Sequence, residues 1–542
     1  VPRYGGQVTL IPQRGQIRYN AAFKYDVTLT AAKNLMKFIV RLHAEITIKS
    51  KGVRKRYGKV LVNNLKSILR RNEVNAKVIW CWDRIEVIVP ELSGEAHSEL
   101  APKSAEFVSE LLQRIPGISW FSRSYELPLP EGEPTDFEPI MAQVLNLWQP
   151  SIGGRKFAVR VKRKGTHPFR SLDLERYLGG GILKHCEGTR VDLRRPDVEV
   201  RVEIDHDTVR VFGDKQQGLG GFPLPTQETV LSLLSGGFDS SVASFQMLRR
   251  GARVHFCFFN LGGAQHETGV RQTAYYLWQQ YASSHPLKFI SVDFAPVVEE
   301  ILTKIDNGLM GVVLKRQMLR AAEMVADKLH TAAVVTGEAL GQVSSQTLSN
   351  LSVIDEATNK LVLRPLITMD KQEIINIAQQ IGTADFARSM PEYCGVISNK
   401  PTVKAQRDVL AEAEQLLDKA LLEHVVRQSR VEDVSQIGET TEARVIKLDT
   451  VAAVQPEQHE IIDIRSSDEV ERKAFNAPNA AVIVRHIPFF KLATAFAELD
   501  PNKTYLLYCE KGVMSKLQAL YLQEQGYNNV AVYQPSVVAA TE

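Results

Sequence analysis

Val230-Leu-Ser-Leu-Leu-Ser-Gly-Gly-Phe-Asp-Ser240 is the stretch on which the reading of this chain turns. Its apolar start, Val230 to Leu234, has the length of a strand; Gly236 and Gly237 make a tight turn; and a helical pattern then runs to Arg250 and stops at Gly251. Val254-His-Phe-Cys-Phe-Phe259 follows as a buried strand, so the three pieces form a βαβ unit of a parallel sheet. Further strands are expected at Phe289 to Val292, Ala333 to Thr336 and Leu361 to Leu363. Glycines let the backbone approach an anion without a Cβ clash, and the helix N-terminus offers unpaired N–H groups to phosphate. The loop is not a Walker A motif, because no Gly-Lys-Ser/Thr follows. Two plainer readings exist: a glycine turn that only closes a strand, and an Asp239 that only caps its helix.

Upstream, the Gly- and Pro-rich segment Gly218 to Pro225 marks a boundary. Before it lie two smaller α+β units. The first has strands at Phe38 to Leu42, Glu45 to Lys49, Val78 to Trp80 and Ile85 to Val89, and a basic helix carrying Leu61, Leu65, Ile68 and Leu69. The second opens with a helix from Ser104 to Leu112. Its strand Lys156 to Arg163 turns Phe157, Val159 and Val161 to one face and Arg160 and Lys162 to the other. A helical segment, Leu172 to Tyr177, is followed by Gly179-Gly-Gly181, and Val198 to Ile204 pairs with Val209 to Val211 as a hairpin. Downstream, Val403 to Arg430 is helical and the polar stretch after it is a linker. A last α/β unit begins at Ile461, and its strand Tyr505 to Tyr508 delivers Cys509 to a loop that enters a helix.

With 542 residues, 44% of them hydrophobic, the chain has material for three or four cores and the composition of an ordinary multidomain protein. No apolar run is long enough to span a bilayer. The net charge is only +4, yet Met36 to Arg71 contains eleven Lys or Arg against the single acid Glu45. Lys51, Arg54, Lys55, Arg56 and Lys59, with Arg160, Lys162, Arg163 and Lys164, are candidates for neutralising phosphates, against the alternative of a solvated charged face. Five cysteines without a CxxC pair argue against a disulfide framework and a thiolate zinc site, and fit a reducing cytoplasm. Twelve histidines show no ligand spacing, so no metal site is expected. Residues 1–35 contain no recognisable element, and Met36 reads as the natural start.

Ser235-Gly-Gly-Phe-Asp-Ser240 resembles the loop of the pyrophosphatase-like (PP-loop) ATPases. Taken with Phe258 to Gly263, Thr336 to Gln346, Arg364-Pro-Leu366 and Pro391 to Ser398, the chain from Met36 to about Tyr533 resembles the ThiI tRNA 4-thiouridine synthetases, or tRNA sulfurtransferases. The resemblance implies a multidomain α+β and α/β fold: a ferredoxin-like domain (36–95), a THUMP RNA-binding domain (96–217), a parallel-sheet PP-loop ATPase domain (225–430), a linker (431–449) and an α/β rhodanese domain (450–542), with 1–35 outside the natural fold. It places ATP, with Mg²⁺, as a substrate on Leu233, Leu234, Ser235, Gly236, Gly237, Asp239, Ser240, Lys315, Gly337 and Gln346, and makes Lys371 necessary for activity. Read from the residues alone, Lys315 and Lys371 are solvated positions on helix faces.

A cysteine where a loop enters a helix meets N–H groups and the positive dipole end, which favour its thiolate. The tail around Ile462 to Arg465 and Cys509 to Ser515 resembles a rhodanese, which implies a persulfide on Cys509. In this family the cysteine matching Cys394 pairs with it as a transient disulfide; alone, Cys394, like Cys81, Cys186 and Cys257, reads as a small hydrophobe. The implied partners are tRNA, modified at uridine 8, a cysteine desulfurase of the IscS type and the ThiS carrier for thiamine thiazole; a homodimer is left open. The alternatives are another PP-loop tRNA-modifying or ammonia-using synthetase, and a non-catalytic RNA-binding protein.

Overall fold

Three sheets organise the chain in the computed structural model. It describes residues 35–81, 84–90, 105–130, 135–261, 263–388, 401–437 and 450–451, and, within 454–533, all but 466–469, 471–473, 476, 489–491, 493–494, 510–514, 516–517, 520–521 and 524. Both Cys394 and the extension 1–34 therefore lie outside the described residues.

The first sheet has eight strands: β1 (Leu35–Leu42), β2 (Lys77–Trp80), β3 (Ile85–Pro90), β4 (Ile118–Pro128), β5 (Lys156–Lys164), β6 (Arg190–Val191), β7 (Val198–Asp205) and β8 (Thr208–Gln217), in the order β2-β3-β1-β4-β8-β7-β5-β6. Helices Lys51–Arg71 and Ala105–Gln113 close one core with Phe38, Val87, Ile118 and Phe121. Helices Glu138–Ile152 and Ser171–His185 close a second with Phe157, Val159, Val200 and Val211. Register puts both cores on one face. Val40 sits opposite Phe121, and Tyr125 of the same strand opposite Val211.

The second sheet contains β9 (Val230–Leu233), β10 (Val254–Asn260), β11 (Lys288–Asp293), β12 (Ala333–Val335), β13 (Leu361–Leu363) and β14 (Arg430–Asp433), ordered β13-β12-β9-β10-β11-β14. Only β14 runs antiparallel. Apolar cores cover both faces, as a parallel sheet requires. The third sheet is wholly parallel: β15 (Thr450–Val451), β16 (His459–Asp463), β17 (Val484–His486), β18 (Thr504–Tyr508) and β19 (Val530–Tyr533), ordered β15-β19-β18-β16-β17.

Four local readings need correction. The expected strand at Glu45 to Lys49 contains a short helix, Ala44–Thr47; Ile46 is buried there while Ile48 is 83% exposed, so the stretch lacks the alternating pair of faces a strand would use. Gly179 to Gly181 do not follow a helix but lie inside Ser171–His185, where a Cβ on Gly181 would stand 1.9 Å from the Cε of Met141. A glycine here answers to close helix packing rather than to a turn. The boundary expected near residue 95 does not divide the packing, because Ala105–Gln113 and β4 belong to the first core. Finally, residues 431–433, read as linker, form an edge strand on β11.

Candidate active site

In the second sheet, the chain leaves β9 for β10 and β11 on one side and returns to β12 on the other. That reversal opens a crevice beyond the carboxyl end of β9, where ligands of open α/β sheets bind. The Ser235 to Ser240 loop fills this place. Gly236 adopts φ +83°, the left-handed region open to glycine, and Gly237 stands at the N-cap of helix Phe238–Arg249. The loop is braced internally: Ser235 N–H donates to Ser240 Oγ at 3.1 Å, and the two hydroxyls are 3.0 Å apart. Ser241 Oγ donates to the Gly237 carbonyl at 2.8 Å. Below it, Leu234 N–H bonds the Cys257 carbonyl of β10 at 2.9 Å.

The segment after β12 backs onto the loop. A Cβ on Gly337 would lie 2.6 Å from the carbonyl carbon of Asp239 and 2.7 Å from Ser240 N, so only glycine lets the two backbones touch. Its neighbour Glu338 takes Lys315 Nζ at 2.7 Å, Arg364 Nε at 2.8 Å and the Thr336 hydroxyl at 3.1 Å. Burial would raise the Glu338 carboxyl, but Lys315 and Arg364 outweigh it and hold the group below its usual value. Gln346 accepts from Ala339 N–H at 3.3 Å, pinning the far end of the segment. On the other flank, Lys371 opens helix Lys371–Gln380 and reaches Asp239, while Gln342 Nε2 donates to Asp239 Oδ2 at 2.9 Å.

The structure thus gathers Leu234, Ser235, Gly236, Gly237, Asp239, Ser240, Gly337 and Lys371 around one loop, with Leu233 at the end of β9 and Lys315 and Gln346 held by Glu338 and Ala339. Sequence reasoning missed several of their supports. Glu338 and Arg364 lay in quoted motifs without an assigned role, and Gln342 was in the same segment. His266 gave no signal: its Nε2 donates to the Ser235 carbonyl at 3.1 Å, its ring meets Phe258 edge-on at 4.8 Å, and burial lowers its pKa against the pull of that carbonyl.

Cys509 directly follows β18. Its half-buried sulfur accepts the N–H of Ser515, a helical residue, at 3.3 Å and lies 3.4 Å from Ser515 Oγ. Cys186 and Cys257 are buried, and burial raises both thiols, which makes them poor nucleophiles.

The face of the first sheet opposite its helices carries Arg160, Lys162 and Lys164 among paired carboxylates. Arg160 bonds the Leu193 carbonyl at 2.7 Å and lies 3.6 Å from Glu199; Lys162 is exposed; Lys164 is 3.5 Å from Asp205. Arg163 turns inward to the Phe169 carbonyl and ring, so it is less available to a polyanion than the other three. A pocket of about 330 Å³ has Arg41, Arg84, Trp120, Arg201, Arg210 and Lys215 in its lining together with the acids Asp197, Glu199, Glu203 and Asp214, with Arg41 and Lys215 over the Trp120 ring at 5.8 and 4.9 Å. None of the first six was singled out in the sequence, because five of them come from four strands and Arg84 from just before β3, and they meet only in the sheet. Lys55 and Arg56 are exposed on helix Lys51–Arg71, while Arg54 is half-buried.

Four family models match: the ThiI ferredoxin-like domain over residues 37–122, the THUMP domain over 134–214, the thiamine biosynthesis protein ThiI over 225–418 and the rhodanese-like domain over 449–541. A cysteine-bearing rhodanese unit joined to a ThiI core defines a sulfur-handling multidomain protein. Over 500 residues the chain is 52% identical to the tRNA sulfurtransferase of Shewanella sp. (strain W3-18-1), covering 92% of this chain and 100% of the relative. It is 50% identical, with the same coverage, to the tRNA sulfurtransferase of Aeromonas salmonicida (strain A449). The crystal structure of a 4-thiouridine synthetase–RNA complex with bound ATP superposes with a TM-score of 0.61 at 28% identity, covering 74% of this chain and 100% of that one. The chain belongs to the tRNA sulfurtransferase family and is an enzyme of the sulfurtransferase class.

Proposed function

We propose that this enzyme adenylates O4 of uridine 8 in tRNA with ATP and replaces that oxygen with sulfur carried as a persulfide on Cys509, giving 4-thiouridine. The observation that carries the reading is the close backbone approach of Gly337 to Asp239 and Ser240, which assembles a compact glycine loop at the switch point, in a chain that also carries Cys509 on a rhodanese unit. The named activity of the relatives and the RNA and ATP in the related structure support it.

In this mechanism the loop N–H groups and the helix N-terminus hold the phosphates while Lys315 and Lys371 balance their charge. The Asp239 carboxylate at the loop would hold the Mg²⁺ that accompanies a triphosphate, and the ion would supply charge neutralisation there. Uridine O4 attacks the α-phosphorus and pyrophosphate leaves. A desulfurase of the IscS type loads Cys509. The terminal persulfide sulfur attacks C4 and AMP departs; the Cys394 thiolate then takes Cys509 Sγ, the S–S bond to the transferred sulfur breaks, and the product keeps that sulfur. Alternatively Cys394 acts first and releases sulfide as the nucleophile. Cellular thiols reduce the resulting disulfide. The face bearing Arg160, Lys162 and Lys164, with Arg54, Lys55 and Arg56, holds tRNA through its phosphates. The same persulfide would serve ThiS in thiazole synthesis. A reducing cytoplasm suits this chemistry, and no helix among the described residues is long and apolar enough to cross a membrane.

A labelled-sulfur transfer assay with desulfurase, run beside AMP release with and without tRNA, tests the reading. tRNA-dependent AMP and labelled tRNA are expected. AMP release indifferent to tRNA would sink it in favour of another PP-loop synthetase, and its absence in favour of a binding protein.

A further inference from the structure

Helix Gly263–Leu277 packs against its own domain through Val270, Ala274 and Leu277. At about 100° per residue, Gln272 points almost directly away from that side. An outward-facing amide on such a helix should be wet, yet Gln272 is 4% exposed. A partner comes from the rhodanese unit: Gln518 Nε2 donates to Gln272 Oε1 at 3.4 Å, and Gln518 is itself 7% exposed. Gln518 lies three residues beyond Ser515, whose N–H faces the Cys509 sulfur. Six residues before Gln272, roughly 9 Å along the axis, His266 of the same helix donates to the Ser235 carbonyl of the nucleotide loop.

We propose that the outward face of helix Gly263–Leu277 is the receiving surface on which this chain's own sulfur-carrying domain docks for transfer, with the Gln272–Gln518 amide pair setting its register. The inference rests on the reading of Cys509 as the sulfur carrier. One rigid helix then touches the nucleotide loop near one end and the sulfur domain near the other. Docking also shields the face beside Cys509 from water and free thiols, which would otherwise consume a persulfide.

The test uses the full chain with two donors. Desulfurase-driven transfer must pass through the docked domain, whereas sodium sulfide attacks C4 of the adenylated uridine directly and displaces AMP without it. Gln272→Lys puts an ammonium into a closed contact. We expect desulfurase-driven thiolation to fall at least tenfold while sulfide-driven thiolation and AMP release stay at the wild-type rate. Gln518→Glu, on the other domain, should give the same selective loss and keeps the test open if Gln272→Lys does not fold. Combined, the two charges pair, and desulfurase-driven transfer should return to within about threefold of wild type. Wild-type desulfurase-driven rates in both single variants, a double variant no better than either, or an equal loss with sulfide would overturn the proposal. Cys509→Ser separates the two layers: full desulfurase-driven thiolation by that variant sinks the carrier reading, whereas a dead Cys509→Ser beside unimpaired single variants sinks only the docking surface.

Discussion

Lys371 Nζ lies 2.9 and 3.0 Å from the two carboxylate oxygens of Asp239, a residue 132 positions earlier in the chain. The contact ties the first turn of one helix to the first turn of another and holds a positive charge beside the phosphate loop. Lys371→Met keeps the apolar stem and removes the charge. We expect tRNA-dependent AMP release to fall about 10²- to 10³-fold, as for loss of one preorganised charge-stabilising group, with tRNA binding unchanged in a filter assay.

Gly337→Ala adds one methyl where both nearest atoms are backbone, at 2.6 and 2.7 Å. Neither can swing aside as a side-chain tip could, so the loop must shift. A stability loss of about 1–3 kcal/mol is expected for such overpacking, with a KM for ATP that rises far more than the KM for tRNA. Equal ATP binding by calorimetry would show that the approach is incidental.

Replacing Arg160, Lys162 and Lys164 by Ala should weaken tRNA binding and flatten its dependence on salt. Each lost phosphate contact lowers the slope by roughly 0.7 to 0.9. Arg160 and Lys164 already face Glu199 and Asp205, so the drop should be smaller than three full contacts. An unchanged slope would remove this face from the RNA interface.

Cys509→Ser should abolish desulfurase-driven thiolation while ATP and tRNA binding survive, because a hydroxyl cannot hold a persulfide. Asp239→Ala should behave in the opposite way, accepting labelled sulfur on Cys509 but failing to adenylate. Cys394→Ser should load sulfur yet lose the disulfide-linked form seen on non-reducing gels when turnover runs without thiol.

The ATPase domain should be acid-sensitive above the carboxylate range. Burial, helped by Arg253 and Lys288, pushes His255 down to about 4, and its Nδ1 accepts the Lys288 N–H at 3.1 Å. The unfolded chain binds this proton near 6.5 and the folded chain does not, so stability is full above 6.5 and declines as pH falls towards 4. His255→Gln should flatten urea-denaturation midpoints across that window; His266 and His285, also lowered by burial, contribute in the same direction.

Much of this was legible in the sequence because it is local. The run from Val230 to Ser240 contains its own strand, turn and helix start, and Cys509 follows its strand at once. What could not be read depends on distance. Asp239 gives no sign that Lys371 will reach it, and Trp120 and the five cations around it meet only after the sheet forms. The triple glycine at 179–181 was misread because a glycine run breaks helices by default, and only Met141 from another helix reveals why small residues are wanted there. Nothing local to Gln272 marks it out, since its amide partner lies more than 240 residues away.

Strand β4 has partners along both edges, β1 on one side and β8 on the other. Pulling either half of the N-terminal region open would leave a bare row of amides on the half that remains, a costly and sticky edge. The two halves should accordingly melt in one transition rather than two, and a fragment cut between residues 128 and 135 should expose β4 and tend to aggregate. For anyone dividing the protein to crystallise or transplant its N-terminal part, the indivisible piece runs from β1 through β8.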